Sequence, residues 1–252
     1  MTPLIAGNWK MNLSRAEVRA LLESLKAASG KWDGVDVAVY PPYVYLAEAA
    51  EILSGTPIEL GAQDLYWEPS GAYTAAISGP MLRDVGCQRV LVGHSERRHV
   101  FGESDEETQR KVQAAFANQL QPTLCVGETL DEREAAQTSA VVDRQIRAGL
   151  EGCTADQAKR GLTIAYEPVW AIGTGHTATP EQAGEVHRFI RLLLGELFGK
   201  DLAAEIPIQY GGSVKPSNID ELMAVDGVDG ALVGGASLEA ESFVRIVEFQ
   251  RS

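Results

Sequence analysis

Four kinds of group stand out for what they could do together. Glu167 is followed directly by Pro168, which biases it toward an extended conformation at the end of a strand. A partly desolvated carboxylate in that place can act as a general base. His94 precedes Ser95-Glu96, which reads as a helix start, and a helix N-terminus disfavours imidazolium. Such a histidine is neutral and donates a hydrogen bond. Lys10, two residues after Asn8, supplies a positive charge suited to a developing oxyanion. Gly211-Gly212-Ser213 and Gly234-Gly235 let backbone N–H groups approach an anion closely, which suits a phosphate cradle. Base, hydrogen-bond donor, cation and phosphate grip are the parts needed to move a proton next to a carbonyl of a small phosphorylated substrate. Each group also has an ordinary alternative. Glu167 reads equally as a surface or capping glutamate, His94 as a buried structural histidine, Lys10 as an exposed lysine, and each glycine pair as turn chemistry. Glu96 reads either as the partner that orients Lys10 or as a first-turn acid.

These residues need elements to hold them. Short apolar runs recur near Leu4–Gly7, Val35–Tyr40, Ile58–Ala62, Arg89–Val92, Thr123–Val126, Leu162–Tyr166, Ile208–Tyr210 and Ala231–Val233. Their near-continuous apolar character suits strands buried on both faces, hence a parallel sheet. The stretches between read as helices. Ser14 with Glu17 and Ser104 with Glu107 have capping-box spacing, and Thr179-Pro180 with Gln182 gives a further start with proline at the first position. Pro216-Ser217 precede a shorter helix through Leu222 and Met223. Alternation of eight strands with helices fits a closed barrel or an open doubly wound sheet, and pattern alone leaves both open. No linker or low-complexity tract divides the 252 residues, so a single domain over 1–252 is expected. In a barrel the site lies at the C-terminal strand ends, and every group named above follows a strand.

Composition sets limits. The chain carries 22 basic and 35 acidic side chains, a net charge of −13, which argues against nucleic-acid binding. An anionic ligand must then be held by local groups. Cys87, Cys125 and Cys153 are odd in number and lack metal-ligand spacing, as do His99, His176 and His187. No membrane span and no secretory signal is read, so the expectation is a cytoplasmic protein with reduced thiols. Gly173-x-Gly175-x-x-Ala178 fits a dinucleotide pattern loosely, but six residues separate it from the preceding strand, where a nucleotide-binding turn would follow directly.

Five segments, AGNWKMN, VGHSERR, AYEPVWAIGTG, YGGSV and GALVGGASL, stand in order between residues 6 and 238. In this they closely resemble the triosephosphate isomerase family. The resemblance implies a single (β/α)8 barrel acting on dihydroxyacetone phosphate and glyceraldehyde 3-phosphate through an enediolate, with no cofactor and no metal. It implies that Glu167 moves the proton between adjacent carbons, that His94 polarises the carbonyl, and that Lys10 steadies the oxyanion with help from Asn8 and Glu96. It implies further that Gly173, Ser213, Gly234 and Gly235 hold the phosphate. Residues 168–178 would form a lid, latched by Tyr210 and Ser213, with Ile172 and Leu232 drying the base. A homodimer is expected. Two departures are visible: His176 stands at the second lid hinge where the family has lysine, and Ala75-Ala76 replace a Gly-Glu pair in a loop that the family inserts into its partner. The missing glutamate would remove an intersubunit ion pair, expected with Arg97 or Arg98. Two rival readings are a phosphate-binding barrel lyase or Schiff-base aldolase, the aldolase needing an imine-forming lysine at an inner strand end, and a non-catalytic interaction protein on the same scaffold, which predicts loss of at least one of Lys10, His94 and Glu167, all of which are present.

Overall fold

In the computed structural model, which describes residues 1–171 and 178–250, the apolar runs form eight parallel strands. They are β1 Leu4–Asn8, β2 Asp36–Tyr40, β3 Ile58–Ala62, β4 Arg89–Val92, β5 Gln121–Val126, β6 Thr163–Tyr166, β7 Ile208–Tyr210 and β8 Gly230–Val233. Each pairs with its neighbour in sequence, and β1 pairs with β8 through Leu4 opposite Gly230 to Gly7 opposite Val233. That last pairing closes the sheet and decides between barrel and open sheet in favour of the barrel.

Alternation along the strands builds two apolar layers. Leu4, Ala6, Ala38, Tyr40, Leu91, Cys125, Ala165 and Leu232 form a cluster inside the barrel. Their neighbours, among them Ile5, Val37, Val39, Val90, Val92, Ile164 and Val233, join the larger core between strands and helices. Several polar groups inside find partners: Tyr40 Oη lies 3.3 Å from Thr123 Oγ1, Gln209 Nε2 donates to the Leu4 and Ala231 carbonyls, and Arg89 is bonded to Glu59.

The helix starts follow their local signals. Ser14, Ser104 and Thr179 each cap a helix through a reciprocal bond with the residue three ahead, over Arg15–Ala28, Asp105–Ala117 and Pro180–Phe198. Two further boxes pass unnoticed in the sequence because their helices are short: Thr129 with Glu132 before Leu130–Glu134, and Thr154 with Gln157 before Ala155–Lys159. Pro216-Ser217 do precede a helix, which covers Ile219–Met223. Ala75 sits at φ 72°, in the left-handed region that glycine occupies without strain. This is the position where the sequence departs from the family's glycine.

Candidate active site

Strand alternation aims the site residues inward. On β1 the inward series Leu4, Ala6 continues to Asn8 and Lys10, and on β6 it runs from Ala165 to Glu167. The same parity takes Leu232 to Gly234 behind β8. On β4 the parity would place Gly93, not His94, inward. A left-handed turn at Gly93, φ 68°, resets it and delivers His94 to the mouth.

One cavity of about 400 Å³ at this end is lined by Asn8, Lys10, His94, Glu167, Ser213 and Gly234, with Gly235 and Leu232 also in its wall. The carboxylate behind β6, the imidazole behind β4 and the ammonium behind β1 therefore share one space. Gly173, expected to grip the phosphate, lies outside the described residues, as do Ile172 and His176.

The internal geometry is specific. Glu167 is buried, and its Oε1 lies 3.0 Å from His94 Nε2 while its Oε2 accepts from the Ser95 N–H at 2.9 Å. A Cβ on Gly211 would come within 2.8 Å of Glu167 Cγ, so glycine there makes room for the carboxylate arm. Burial alone would raise the Glu167 pKa; His94, the Ser95 N–H and Lys10 outweigh it and hold the carboxylate below its ordinary value. His94 is also buried. Its Nδ1 accepts from the Glu96 N–H at 3.2 Å, so the ring is neutral in this geometry, with its hydrogen on Nε2 facing Glu167. Burial works against a charge on His94, but the Glu167 carboxylate outweighs it and raises the imidazole pKa. The helix-terminus argument thus accounts for the tautomer, and the adjacent anion opposes it on the pKa.

Lys10 adopts φ 53°, an unusual backbone state for a residue with a side chain, and three contacts hold it. Its N–H donates to Asn8 Oδ1 at 3.0 Å, its carbonyl accepts from Gln63 Nε2 at 2.8 Å, and its Nζ lies 2.8 Å from Glu96 Oε1. Glu96 is thus both a first-turn acid of the helix Ser95–His99 and the partner of Lys10. The Lys10 ammonium lies 3.9 Å from where a Cβ on Gly234 would stand, so cation and glycine loop face the same volume.

Two site residues escape sequence reading. Gln63 also donates to the Tyr40 carbonyl at 2.9 Å and so ties the Lys10 turn to β2; a glutamine after a strand carries no pattern. Glu128, fully buried, accepts from the Tyr166 hydroxyl at 3.1 Å, from Trp170 Nε1 at 3.0 Å and from Arg133 at 3.1 Å. It anchors the turn Val169–Ala171 that follows Glu167. Its sequence signal was a glutamate one residue beyond Gly127 behind β5, the same kind of place as the other site groups. Arg97 and Arg98 have partners in their own chain: Arg97 meets Asp64 and Glu103 at 3.3 Å, and Arg98 meets Asp105 at 2.6 Å.

A closed parallel barrel with a carboxylate, an imidazole, an ammonium and a glycine cradle around one cavity is a (β/α)8-barrel of the kind that works on small anions. Residues 3–250 match the family model described as triosephosphate isomerase. A triosephosphate isomerase of Roseiflexus sp. (strain RS-1) is 57% identical over 248 residues, covering 98% of this chain and 97% of its own. One of Moorella thermoacetica is 55% identical, covering 99% of each. The crystal structure of triosephosphate isomerase from Bartonella henselae superposes with a TM-score of 0.89 at 41% identity, over 98% of each chain. The chain belongs to the triosephosphate isomerase family.

Proposed function

We propose that the chain interconverts dihydroxyacetone phosphate and D-glyceraldehyde 3-phosphate. Glu167 takes a proton from the carbon beside the carbonyl, and the electron pair moves onto the carbonyl oxygen to give an enediolate. His94 donates its Nε2 hydrogen bond to that oxygen, Lys10 offsets the negative charge, and Asn8 and Glu96 hold Lys10 in place. Return of the proton to the adjacent carbon completes the isomerisation. Ser213, Gly234 and Gly235, with Gly173, hold the phosphate.

The observation that carries this reading is the shared cavity of Glu167, His94 and Lys10 beside the glycine loops. With His94 and the Ser95 N–H as its partners, Glu167 is held ionised and is a weak base. Substrate entering between Glu167 and His94 replaces both contacts, and burial alone then raises the carboxylate pKa toward what a general base needs. The aldolase reading needs a lysine whose amine is free to form an imine, whereas Lys10 Nζ is engaged by Glu96 Oε1 at 2.8 Å.

The proposal extends to a homodimer in the cytoplasm. Met11, Val44, Val100 and Phe101 are large apolar side chains exposed by two thirds or more in the single chain, with Met11 at 95%. No helix among the described residues is long and apolar enough to cross a membrane. Light scattering at micromolar concentration is expected to give twice the chain mass. A stable, active monomer overturns the dimer.

The test of the activity is a coupled isomerase assay, repeated in D2O with the product analysed by mass. Turnover with solvent deuterium at carbon is expected. No turnover, or a covalent adduct after borohydride treatment with substrate, sinks the proposal.

A further inference from the structure

We infer that Lys215 is a second cation of the anion site, pinned at the cavity rim by Asn218, and that it captures the doubly charged phosphate group on approach. This rests on the isomerase reading of the same site. Lys215 lines the cavity shared by Lys10, Glu167, Ser213 and Gly234, and it is exposed to solvent there. Its backbone is fixed. Asn218 Oδ1 accepts from the Lys215 N–H at 2.7 Å, and the Lys215 carbonyl accepts from the N–H groups of Asn218 and Ile219 at 3.1 and 3.2 Å. The other half of the Asn218 amide donates to the Ser213 carbonyl at 3.0 Å. One side chain thus ties Lys215 and Ser213 into a single unit. Asn218 is a positioning residue: it meets no substrate, but it fixes two residues of the cavity wall.

The electrostatics call for such a cation. The net charge of −13 repels a dianion at long range. Lys10 offers less than a full charge outward because Glu96 lies 2.8 Å from it. Among the described residues no carboxylate oxygen lies within 4.0 Å of the Lys215 ammonium, so its field reaches the solvent unneutralised. A single exposed charge near the entrance acts within about a Debye length, ~10 Å at 0.1 M salt, and mainly on the rate of encounter.

The test compares wild type with Lys215→Met, Lys215→Glu, Lys215→Arg and Asn218→Ala over a range of ionic strength. It reads isomerase kcat and kcat/KM, and the affinity for inorganic phosphate by calorimetry. In low salt Lys215→Met is expected to lower kcat/KM about three- to fivefold, and Lys215→Glu roughly tenfold or more. The loss falls on kcat/KM more than on kcat, fades as salt rises, and is restored by Lys215→Arg. Phosphate affinity weakens in parallel. Lys159→Met, in the helix that leads into the opposite end of β6, moves neither. Asn218→Ala, with its fold checked by circular dichroism and melting temperature, weakens phosphate more than Lys215→Met does, because Ser213 is released as well. An active enzyme whose Lys215 variants keep the wild-type salt slope and phosphate affinity overturns the rim cation, and wild-type phosphate affinity in Asn218→Ala overturns its positioning. Calorimetry needs no turnover: a chain that fails to isomerise yet loses phosphate affinity in Lys215→Met upholds the rim cation and overturns the isomerase reading instead.

Discussion

His94 Nε2 and Glu167 Oε1 lie 3.0 Å apart, so the imidazole and the carboxylate are partnered with each other. Burial disfavours charge on both, and each offsets this for the other: the histidine lowers the glutamate pKa, and the glutamate raises the histidine pKa. Replacing Glu167 by Gln removes the anion and leaves burial as the dominant influence on His94. The His94 pKa is then expected to fall, read from the imidazole nitrogen shifts by NMR. A His94 pKa that rises or stays fixed in Glu167→Gln contradicts this coupling.

Gln63 is expected to matter through Lys10. Its side-chain amide bonds the Lys10 and Tyr40 carbonyls, and Lys10 holds a left-handed backbone that needs such support. Gln63→Ala frees both carbonyls at a cost of about 1–3 kcal/mol if they stay buried. The expected outcome is a drop in kcat/KM of about tenfold, consistent with a displaced cation. Steady-state kinetics on a variant shown to be folded checks it, and unchanged kinetics means Lys10 holds itself.

His187 predicts a pH-dependent stability. It is fully buried, its Nδ1 lies 3.0 Å from the Gly227 carbonyl, and burial lowers its pKa to about 4. The unfolded chain binds a proton near the ordinary 6.5, so the unfolded state gains protons first as pH falls. This group's contribution is therefore present above 6.5 and is lost progressively down to about 4. Between pH 7 and 5 the loss is about 2 kcal/mol. Urea unfolding of wild type and His187→Gln at both pH values isolates the effect, because other titrating groups cancel in the difference. Equal pH slopes for the two chains refute it.

Ala75, at φ 72°, carries a side chain in a backbone state that favours glycine. Ala75→Gly is expected to raise stability by about 1 kcal/mol. Urea unfolding at fixed protein concentration measures it, and a loss of stability shows that the Ala75 methyl makes contacts worth more than the strain.

Much of this was legible in the residues. Seven of the strands lie within a residue of where apolar runs put them, because apolar runs buried on both faces have no competing pattern. β5 begins two residues before the run that marks it, at Gln121-Pro122, whose polar and proline residues hide its start. Capping boxes at Ser14, Ser104 and Thr179 fix helix starts because the reciprocal bond is local. The site residues stood out because charged and glycine residues directly behind buried strands have no packing reason to be there. Other features depended on three dimensions. Closure through Leu4 opposite Gly230 joins the two ends of the chain, and no local signal announces it. Gln63 bonds residues 23 and 53 positions away, and Glu128 bonds Tyr166 and Trp170 at 38 and 42 positions, so these roles rest on contacts distant in sequence. The pairing of His94 with Glu167 spans 73 positions and joins the ends of β4 and β6, so no local motif announces it.

The most direct test of the central claim is kcat for Glu167→Asp beside wild type in the coupled isomerase assay. The change keeps the carboxylate but draws it back by one methylene, about 1 Å or more, from the carbon it must reach. A fall in kcat of about a hundredfold or more, with KM little altered, is the expected result. Turnover within a few-fold of wild type would mean that the carboxylate behind β6 is not the group that carries the proton.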